Sequence, residues 1–374
     1  MNQPRPVTKI HILHILLNLD PGGLENGVVN VVNGLDADEF CSSVCCVQHL
    51  GTFAKKIRAP VQMFQMGHTR GNDWLLPIRL AHRIRQIRPD IIHTRNPEAY
   101  FYGFPAAKFA GVKHIVHSEH GRNFPETAVR RTVQRFFSRF TDQIFAVSND
   151  LRENVIRYIG IPPSRITVIA NGVDLGNFNS NNRARIRGDL GLEGKVAIGS
   201  VGRLVAVKNY QLLLRALRFL TDRFNLALLL IGDGPERKSL ERLTAELGLT
   251  DRVFLLGHQD KVPDLLSGLD IFVLPSLSEG MSNTLIEAAA AGLCRVASDV
   301  GGNGEVIKDG VDGYLFRSGD LPGLTDTLAN LCADGALREQ TGAAAKERAK
   351  LAFGLPTMIG RYENLYRMVY GKDS

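Results

Sequence analysis

The sequence predicts an α/β protein built from two doubly wound domains, each with a parallel sheet. Short apolar runs alternate with helical patterns along the whole chain, which indicates repeated βαβ units. This series stops at a polar stretch near the middle of the chain and then begins again. A length of 374 residues is also too great for one ordinary core, so two domains are expected.

The first series predicts six strands and five helices, followed by a linker. Apolar runs predict strands at 10–17, 43–47, 61–65, 90–94, 114–117 and 143–147. Helical periodicity predicts helices at about 24–35, 73–88, 97–110, 126–140 and 149–158. An apolar segment at 166–169 then leads to the turn Asn171-Gly172-Val173-Asp174, and the polar run 177–187 is predicted to be the linker.

The second series predicts a similar arrangement. Its strands are expected at 196–201, 226–231, 253–256, 271–274, 295–298 and 313–316. Its longer helices are expected at about 208–221, 235–247, 321–333, 336–350 and 355–371. A shorter helix is expected to begin at Ser282 or Asn283 and to stop at Gly292. The predicted domains are therefore 1–175 and 176–354.

The net charge of +7 belongs to the first half of the chain. Residues 1–174 hold 21 Lys and Arg against 14 Asp and Glu, whereas residues 175–374 hold 24 of each kind. Arg131, Arg135 and Arg139 recur at every fourth position with phenylalanines among them, which predicts a basic amphipathic helix. A solvated helix face and docking on an anionic membrane both fit this pattern. Nucleic acid is not expected as a partner, because no nucleic-acid-binding module accompanies the charge.

Other bulk properties indicate the cellular compartment. No apolar run approaches the ~20 residues that a membrane span needs. Residues 1–6 lack the apolar core of an export signal. The five cysteines show no metal-ligand spacing, and their odd number fits a reducing compartment. We therefore expect a cytoplasmic protein that binds peripherally at the inner face of the plasma membrane if the basic helix docks there.

The segment that ends at Glu287 suits a ligand with an anion between two polyols. Gly280-Met281-Ser282-Asn283-Thr284-Leu285 runs from a loop into a helix, and a helix N-terminus offers N–H groups and a positive dipole to an anion. Glu279 precedes this junction and Glu287 lies about one turn inside the helix, where carboxylates can accept from hydroxyl groups. The pattern predicts a nucleotide-sugar site. Two unrelated glutamates around an ordinary turn are the alternative.

Two further motifs lie at the predicted carboxyl ends of strands, where doubly wound sheets bind ligands. Arg203 and Lys208 follow the strand 196–201 and are suited to hold a diphosphate and to neutralise a leaving group. Gly22 and Gly23 follow the first strand and allow the backbone to approach a ligand closely. Surface charges and a plain tight turn are the alternatives. The glycines do not form Gly-x-Gly-x-x-Gly, so a dinucleotide site is not predicted.

His120 is the candidate for a reaction centre in the first domain. It lies beside a glycine after the strand 114–117, and Glu119 competes for the same role. No metal site is predicted. The spacing Asp36-Ala37-Asp38 suits a cation, but it lies at the amino side of a strand, which is the wrong end of the sheet for a ligand site.

Taken together, these motifs resemble the retaining GT-B glycosyltransferases of family 4. The resemblance covers essentially the whole chain and rests on an ordered set of motifs. The set comprises Gly22-Gly23, the His120 region, Val147-Ser148, Asn171-Gly172-Val173-Asp174, Gly202-Arg203-Leu204 with Lys208, Gly232-Asp233-Gly234, and Glu279 to Glu287. Residues 22–27, 93–96 and 118–121 are also similar to a bacterial subgroup of sugar transferases associated with exopolysaccharide and with PEP-CTERM/exosortase systems in the cell envelope.

The resemblance implies a role for each matching residue. Catalytic roles fall to Arg203, Lys208, Glu279 and His120. Donor-binding roles fall to Gly22, Gly23, Gly280, Met281, Ser282, Asn283, Thr284, Leu285, Glu287 and, through the backbone around it, His258. The family contains prolines where this chain has Cys294 and Gly304, and Phe-Gly where it has Met281-Ser282. The last difference leaves the identity of the sugar open.

The resemblance also implies a GT-B fold whose final helix, at about 355–371, packs back on the first domain. The expected reaction is a metal-independent, retaining transfer without a cofactor, in which a UDP- or GDP-sugar is a substrate. The acceptor would be a polysaccharide or a lipid-linked glycan at the cytoplasmic membrane face. No carboxylate nucleophile is evident near His120, so same-face attack is expected, with the leaving phosphate taking the acceptor proton.

Three alternatives to transfer remain at this point. A GT-B phosphorylase should show a pyridoxal-phosphate lysine pocket, and none can be identified. A sugar-nucleotide epimerase would bind the same donor and differ in its product. A non-catalytic nucleotide-sugar-binding protein is disfavoured by the intact set of Arg203, Lys208, Glu279 and Glu287.

Overall fold

The computed structural model describes residues 9–58, 60–69, 71–121, 126–178 and 182–371. The chain divides into two compact units. The first consists of Met1–Asn171 with Pro356–Ser374, and the second of Gly172–Leu355. The division falls four residues before the domain boundary expected from the sequence.

The first unit contains a parallel sheet of seven strands. They are β1 (Ile10–Leu16), β2 (Phe40–Cys46), β3 (Gln62–Gln65), β4 (Ile91–Arg95), β5 (His114–Glu119), β6 (Gln143–Ala146) and β7 (Ile166–Val168). Their order is β3-β2-β1-β4-β5-β6-β7. The central strands β4 and β5 are buried along their whole length, as expected of a sheet covered on both faces. Because the order reverses between β1 and β4, a ligand crevice is expected at their carboxyl ends.

Five helices of the first unit connect these strands. They are α1 (Gly23–Gly34), α2 (Leu76–Ile87), α3 (Asn96–Ala110), α4 (Ala128–Ser138) and α5 (Asn149–Ile159). The Ser148 hydroxyl caps α5 by accepting from the Leu151 N–H at 3.2 Å. Gly111 and Gly160 end α3 and α5 in the left-handed conformation that favours glycine.

The second unit contains a parallel sheet of six strands. They are β8 (Val196–Val201), β9 (Leu226–Ile231), β10 (Val253–Gly257), β11 (Ile271–Leu274), β12 (Cys294–Ser298) and β13 (Tyr314–Phe316). Their order is β10-β9-β8-β11-β12-β13, so the reversal lies between β8 and β11. The motifs around Lys208 and Glu279 follow these two strands directly.

The helices of the second unit vary widely in length. They are α6 (Arg183–Asp189), α7 (Tyr210–Leu220), α8 (Arg237–Glu246), α9 (Val262–Ser267), α10 (Asn283–Ala290), α11 (Asn303–Val306), α12 (Leu321–Ala333) and α13 (Gly335–Ala352). Leucines of α7 and α12 bury against the apolar face of β8, β9 and β11 and form the main core of the unit. Among the described residues, no helix of either unit is both long and apolar enough to cross a membrane.

The last helix, α14 (Leu355–Tyr370), packs against the first unit. Its buried face includes Ile359, Tyr362 and Tyr366, which recur with helical spacing. Ile359 lies against Gly34 of α1 so closely that a Cβ there would be 2.9 Å from its side chain. Arg367 adds an ion pair with Glu39 at 2.6 Å.

Three details of the fold differ from the sequence-based expectations. The run 177–187 was expected to be a linker, but α6 forms in it because Arg183 and Arg187 both bind the Asp270 carboxylate, at 2.5 and 3.0 Å. α9 and α11 were not predicted, since six and four residues are too few to show helical periodicity. α7 begins at Tyr210 rather than at 208, because Asn209 adopts φ 51°.

Candidate active site

α10 is held firmly where the anion-binding segment was predicted. The Ser282 hydroxyl accepts from the Leu285 N–H at 3.3 Å and so caps the helix. Arg295 of β12 is fully buried, donates to the Leu285 carbonyl at 3.4 Å and pairs with Asp312 at 2.7 Å. Burial lowers the pKa of Arg295 to about 10, and the guanidinium therefore remains charged at neutral pH. The N-terminal amides of α10 thus have a fixed position at the edge of the sheet.

The centre of this edge is a cluster of Lys208, Ser276 and Glu279. Lys208 Nζ lies 2.5 Å from Glu279 Oε1, and the Ser276 hydroxyl donates to the same oxygen at 2.6 Å. Both charged side chains are largely buried, at 19% and 11% exposure, so solvent screens their attraction less than on an open surface. The backbone N–H of Leu277 also donates to the Val207 carbonyl at 2.7 Å, which ties the two loops together.

Two glycines allow these strand-end loops to pack closely. A Cβ at Gly301, which has φ +54°, would lie 1.9 Å from the Glu279 carbonyl oxygen. A Cβ at Gly232, which has φ +139°, would lie 2.1 Å from the Gly202 carbonyl oxygen. Both positions combine a left-handed backbone with a steric contact, so only glycine fits there without a shift of the backbone. The loops that carry Arg203 and Glu279 are therefore positioned by backbone contacts.

Other predicted site residues of the second unit lie outside this cluster. Arg203 is exposed, and within the described ranges its guanidinium makes no hydrogen bond or ion pair. Glu287 lies one turn after Asn283 on α10 and therefore on the same helix face. His258 follows β10, is mostly exposed, and its Nε2 lies 3.6 Å from Asp260 Oδ1. The structure thus brings Lys208 into contact with Glu279, while the imidazole of His258 contacts Asp260.

In the first unit, Gly22 and Gly23 form the beginning of α1. Gly22 is the extended N-cap residue, and no side chain caps the helix from that position. The Glu25 carboxylate lies so close that a Cβ at Gly22 would be 2.1 Å from its Oε2. A negative charge therefore lies at the N-terminus of α1, where the dipole stabilises it and where the resemblance implies a phosphate.

His120 lies just after β5 and is anchored on two sides. Its backbone N–H donates to Asn96 Oδ1 at 2.8 Å, and its ring Nε2 lies 2.9 Å from Ser118 Oγ and 3.4 Å from Arg95 Nη1. Burial, the Arg95 charge and then His117 hold the pKa of His120 well below its usual value. The imidazole is therefore neutral at pH 7 and can act through hydrogen bonds rather than as a cation.

Glu119, the competing candidate, is directed into the unit instead. It is only 2% exposed, and its Oε1 lies 3.1 Å from His117 Nε2. His117 in turn stacks on Tyr100 with ring centroids 3.8 Å apart. The carboxylate therefore belongs to the buried polar interior of the first unit.

Comparisons with known proteins identify the family. The model of Glycosyltransferase Family 4 matches residues 21–177, and that of Glycosyl transferases group 1 matches residues 182–348. The D-inositol 3-phosphate glycosyltransferase of Rhodococcus opacus (strain B4) is 30% identical over 93% of this chain and 77% of its own length. The chain belongs to the family 4 glycosyltransferases. It is therefore an enzyme that transfers a sugar from a nucleotide-sugar donor.

Further similarities cover nearly the whole glycosyltransferase. The UDP-Gal:alpha-D-GlcNAc-diphosphoundecaprenol alpha-1,3-galactosyltransferase of Escherichia coli is 29% identical over 96% of this chain and 97% of its own length. Anabaena Alr3699/HepE, solved in complex with UDP, has a TM-score of 0.84 at 22% identity over 96% of this chain and 100% of that chain. Sucrose-phosphate synthase of Thermosynechococcus elongatus has a TM-score of 0.83 at 20% identity over 97% and 100%. These structures confirm the predicted GT-B fold.

Sequence reasoning did not single out two residues that organise the sites of this glycosyltransferase. Ser276 donates a hydrogen bond to the same Glu279 oxygen that Lys208 contacts. Its position just after β11, at the carboxyl end of a strand, is the sequence feature that could have identified it. Arg95 is fully buried at the carboxyl end of β4 and approaches His120. It was noted only as part of a subgroup motif, and its place directly after the predicted strand 90–94 was the available signal. In the part of the chain that the structure describes, no group of three or more His, Cys, Asp and Glu side chains is placed to hold a metal ion.

Proposed function

We propose that this glycosyltransferase moves a hexosyl or N-acetylhexosaminyl residue from a UDP-sugar to a lipid-diphosphate-linked glycan, with retention of the anomeric configuration. The observation that carries the proposal is the Lys208–Glu279 pair beside the N-terminus of α10. The two groups suit the two halves of the donor, since the carboxylate can accept from sugar hydroxyls while the ammonium attracts the diphosphate. UDP is favoured over GDP because Alr3699/HepE binds UDP and UDP-glucose and the Escherichia coli relative is named for UDP-Gal.

The proposed catalysis is electrostatic. As the bond from the anomeric carbon to the diphosphate oxygen breaks, negative charge grows on the diphosphate. Lys208, Arg203 and the amides at the start of α10 interact with this growing negative charge. They therefore stabilise the transition state more than the ground state, which lowers the barrier. These groups supply the positive charge that a bound metal cation supplies to the leaving diphosphate in other transferases. We therefore propose that no metal and no cofactor are required.

Retention is proposed to follow from attack on the face that the diphosphate leaves. The acceptor oxygen bonds to the anomeric carbon, and its proton passes to the departing diphosphate oxygen. A double displacement would need a free carboxylate nucleophile. Glu119 is buried against His117, and Glu279 is engaged by Lys208 and Ser276, which weakens either as a nucleophile.

A surface of α4 supports an acceptor at an anionic membrane. Val129, Phe136 and Phe140 are exposed on or just beyond this helix, at 74%, 52% and 52%, and arginines flank them. Exposed apolar groups next to cations are the combination that binds the interface of an anionic bilayer. Not every predicted residue takes part. Arg135 donates to the Ile159 carbonyl at 2.9 Å, and Phe137 stacks on Phe104 inside the unit with ring centroids 4.2 Å apart.

The biological setting extends the proposal. The Escherichia coli relative is named for an acceptor linked to diphosphoundecaprenol, and its similarity covers 96% of this chain. We propose an acceptor of the same chemistry, presented at the cytoplasmic face of the membrane. A role in exopolysaccharide or other cell-envelope synthesis follows from that acceptor. The narrower association with PEP-CTERM/exosortase systems remains a prediction from the subgroup motifs.

The donor is tested by a thermal-shift series with UDP, GDP, ADP and their sugars. A ligand that binds only the folded chain stabilises it by ~2.7 kcal/mol at a hundredfold excess over its dissociation constant. We expect UDP and one UDP-sugar to raise the melting temperature of the wild type and to have less effect on Lys208→Met. A response to GDP alone would overturn the choice of base.

The reaction is tested with that UDP-sugar and a short-chain polyprenyl-diphosphate-linked N-acetylglucosamine. Proton NMR of the first-formed product gives the anomeric configuration, and parallel reactions with excess EDTA test the need for a metal. We expect the product to have the same anomeric configuration as the donor sugar, and we expect excess EDTA to leave the transfer rate unchanged. An inverted product would refute retention, and a rate restored only by added cation would refute metal independence.

A further inference from the structure

A chain of buried hydrogen bonds leads from α14 to His120. The Tyr366 hydroxyl lies 2.7 Å from His93 Nδ1, and His93 Nε2 lies 2.9 Å from Ser118 Oγ. Ser118 Oγ in turn lies 2.9 Å from His120 Nε2. Tyr366, His93 and Ser118 are fully buried, so water cannot substitute for a missing partner. Each proton in this chain must therefore point in a definite direction.

Arg95 determines the direction at the end of the chain. Its guanidinium carries donors only, and it remains protonated in proteins. Nη1 lies 3.4 Å from His120 Nε2 and 3.3 Å from the Tyr362 hydroxyl, while Nη2 lies 3.3 Å from His14 Nδ1. An imidazole nitrogen that faces this cation must accept, so His120 Nε2 carries no proton. Within the described ranges no carboxylate pairs with Arg95, which leaves these neutral groups as its partners.

The other three directions follow from this one. Because His120 Nε2 is an acceptor, the Ser118 hydroxyl donates to it. Ser118 Oγ therefore accepts from the Nε2–H of His93. A neutral His93 then has an unprotonated Nδ1, which accepts from the Tyr366 hydroxyl. The Ser118 hydroxyl, at 2.9 Å, and the more distant Arg95 Nη1, at 3.4 Å, share the lone pair of His120 Nε2. At Ser118 Oγ and at His93 Nδ1, one donor of the chain meets one acceptor.

The electrostatic environment agrees with these protonation states. Burial is the largest cause that holds the pKa of His93 and of His120 well below the usual value for histidine, and the Arg95 charge is the second. Both rings are therefore neutral at pH 7. Burial raises the pKa of Tyr366, so its hydroxyl keeps the proton that it donates.

We infer that Arg95, Ser118, His93 and Tyr366 are positioning residues that hold His120 as its Nδ1–H tautomer. Among the described residues, none makes a hydrogen bond with His120 Nδ1. The tautomer therefore offers one N–H donor on an uncharged ring, which suits an oxygen of a neutral hydroxyl group. That this oxygen belongs to a sugar rests on the proposed function, whereas the tautomer itself does not.

The test is a long-range proton–nitrogen NMR spectrum of the full chain labelled with ¹⁵N-histidine. His120→Gln identifies the signals of His120 by their loss. In the wild type at pH 7.5 we expect a protonated, pyrrole-type Nδ1 and an unprotonated, pyridine-type Nε2. Arg95→Met and Tyr366→Phe each remove one constraint, and we expect the single-tautomer pattern of His120 to be lost in Arg95→Met and weakened in Tyr366→Phe.

Tyr370→Phe is the matched control. Tyr370 lies on the same helix, but its ring contacts His114 at a centroid distance of 6.3 Å and takes no part in the chain. We expect this variant to leave the His120 signals unchanged. A proton on His120 Nε2 in the wild type would overturn the inference, and so would a single tautomer that persists in both test variants. A protein that shows the expected tautomer but transfers no sugar would refute the proposed function alone.

Discussion

Lys208 and Glu279 are separated by 71 residues in the chain, yet their side chains are 2.5 Å apart. They meet because β8 and β11 are neighbours in the sheet, and each residue belongs to the loop after one of these strands. Ser276 binds the same carboxylate oxygen at 2.6 Å. This contact links the residue suited to the diphosphate directly to the residue suited to the sugar.

Lys208→Met, Glu279→Gln and their double mutant test this relationship. Each single change removes a group from the proposed transition-state site, and we expect kcat/KM to fall by about 10²–10³-fold. Because the two side chains contact each other, the double mutant should lose less than the product of the single effects. Lys238→Met, at an exposed lysine of α8, is the control and should retain wild-type rates. Independent, fully multiplicative effects would contradict the pairing.

Arg203→Ala separates catalysis from stability. The guanidinium is exposed and forms no hydrogen bond or ion pair within the described ranges, so its loss should change the melting temperature very little. If it stabilises the leaving diphosphate, kcat should fall by about 10²–10³-fold. Arg242→Ala, at an exposed arginine of α8, should change neither quantity. Near-normal turnover of Arg203→Ala would remove this residue from the mechanism.

Gly301→Ala and Gly310→Ala form a matched pair. Both glycines have left-handed backbones, with φ +54° and +69°, so alanine costs roughly 1–2 kcal/mol at either position. Only at Gly301 does the added Cβ strike another atom, 1.9 Å from the Glu279 carbonyl oxygen. We expect Gly301→Ala alone to weaken UDP-sugar binding by more than about tenfold, which corresponds to ~1.4 kcal/mol. Isothermal titration with both variants measures this, and equal affinities would show that the Glu279 loop tolerates the shift.

The first unit should lose stability in mild acid. Burial, followed by Arg95, holds the pKa of His14, His93 and His120 well below 6.5, so these rings are neutral when folded. The contribution of these histidines to the free energy of unfolding is fully present above pH 6.5, where the rings are neutral in both the folded and the unfolded chain. As the pH falls below 6.5, the three histidines take up protons in the unfolded chain but not in the folded chain. The free energy of unfolding therefore falls by up to about 4 kcal/mol per pH unit for the three groups.

Hydrogen exchange measured by mass spectrometry can follow this loss in each unit separately. After correction for intrinsic rates, the opening free energy of β4 and β5 should fall between pH 6.5 and 5. β8 and β9, in the unit without these histidines, are the internal control and should change less. A parallel decline in both units would mean that other groups dominate the acid response.

Phe136→Ser with Phe140→Ser tests the membrane surface. Removing two exposed aromatic rings should weaken sedimentation with anionic liposomes while leaving transfer to a short, soluble acceptor unchanged, because neither ring lies in the core. Phe219→Ser, at a ring of α7 that is 62% exposed in the second unit, is the matched control. Binding of the double mutant at wild-type strength, or binding that ignores salt and anionic lipid, would refute docking through α4.

Much of the fold was predictable because it depends on local patterns. The strand β9 is six consecutive apolar residues, and α10 is bounded by Ser282 and Gly292, so both could be identified from the chain alone. α6 could not, since its arginines are held by Asp270, more than 80 residues away. The short helices α9 and α11 have too few residues to show a period.

The candidate site divides in the same way. The sequence by itself determined the family, the two parallel sheets and the residue types at the strand ends, because these follow from apolar periodicity and from motifs of adjacent residues. Only the tertiary structure decided that Ser276 joins Lys208 and Glu279, that Glu119 is directed into the unit, and that Arg95, His93 and Tyr366 govern His120. Such contacts depend on strand order and on the return of α14 to the first unit, and neither leaves a signal in the spacing of nearby residues.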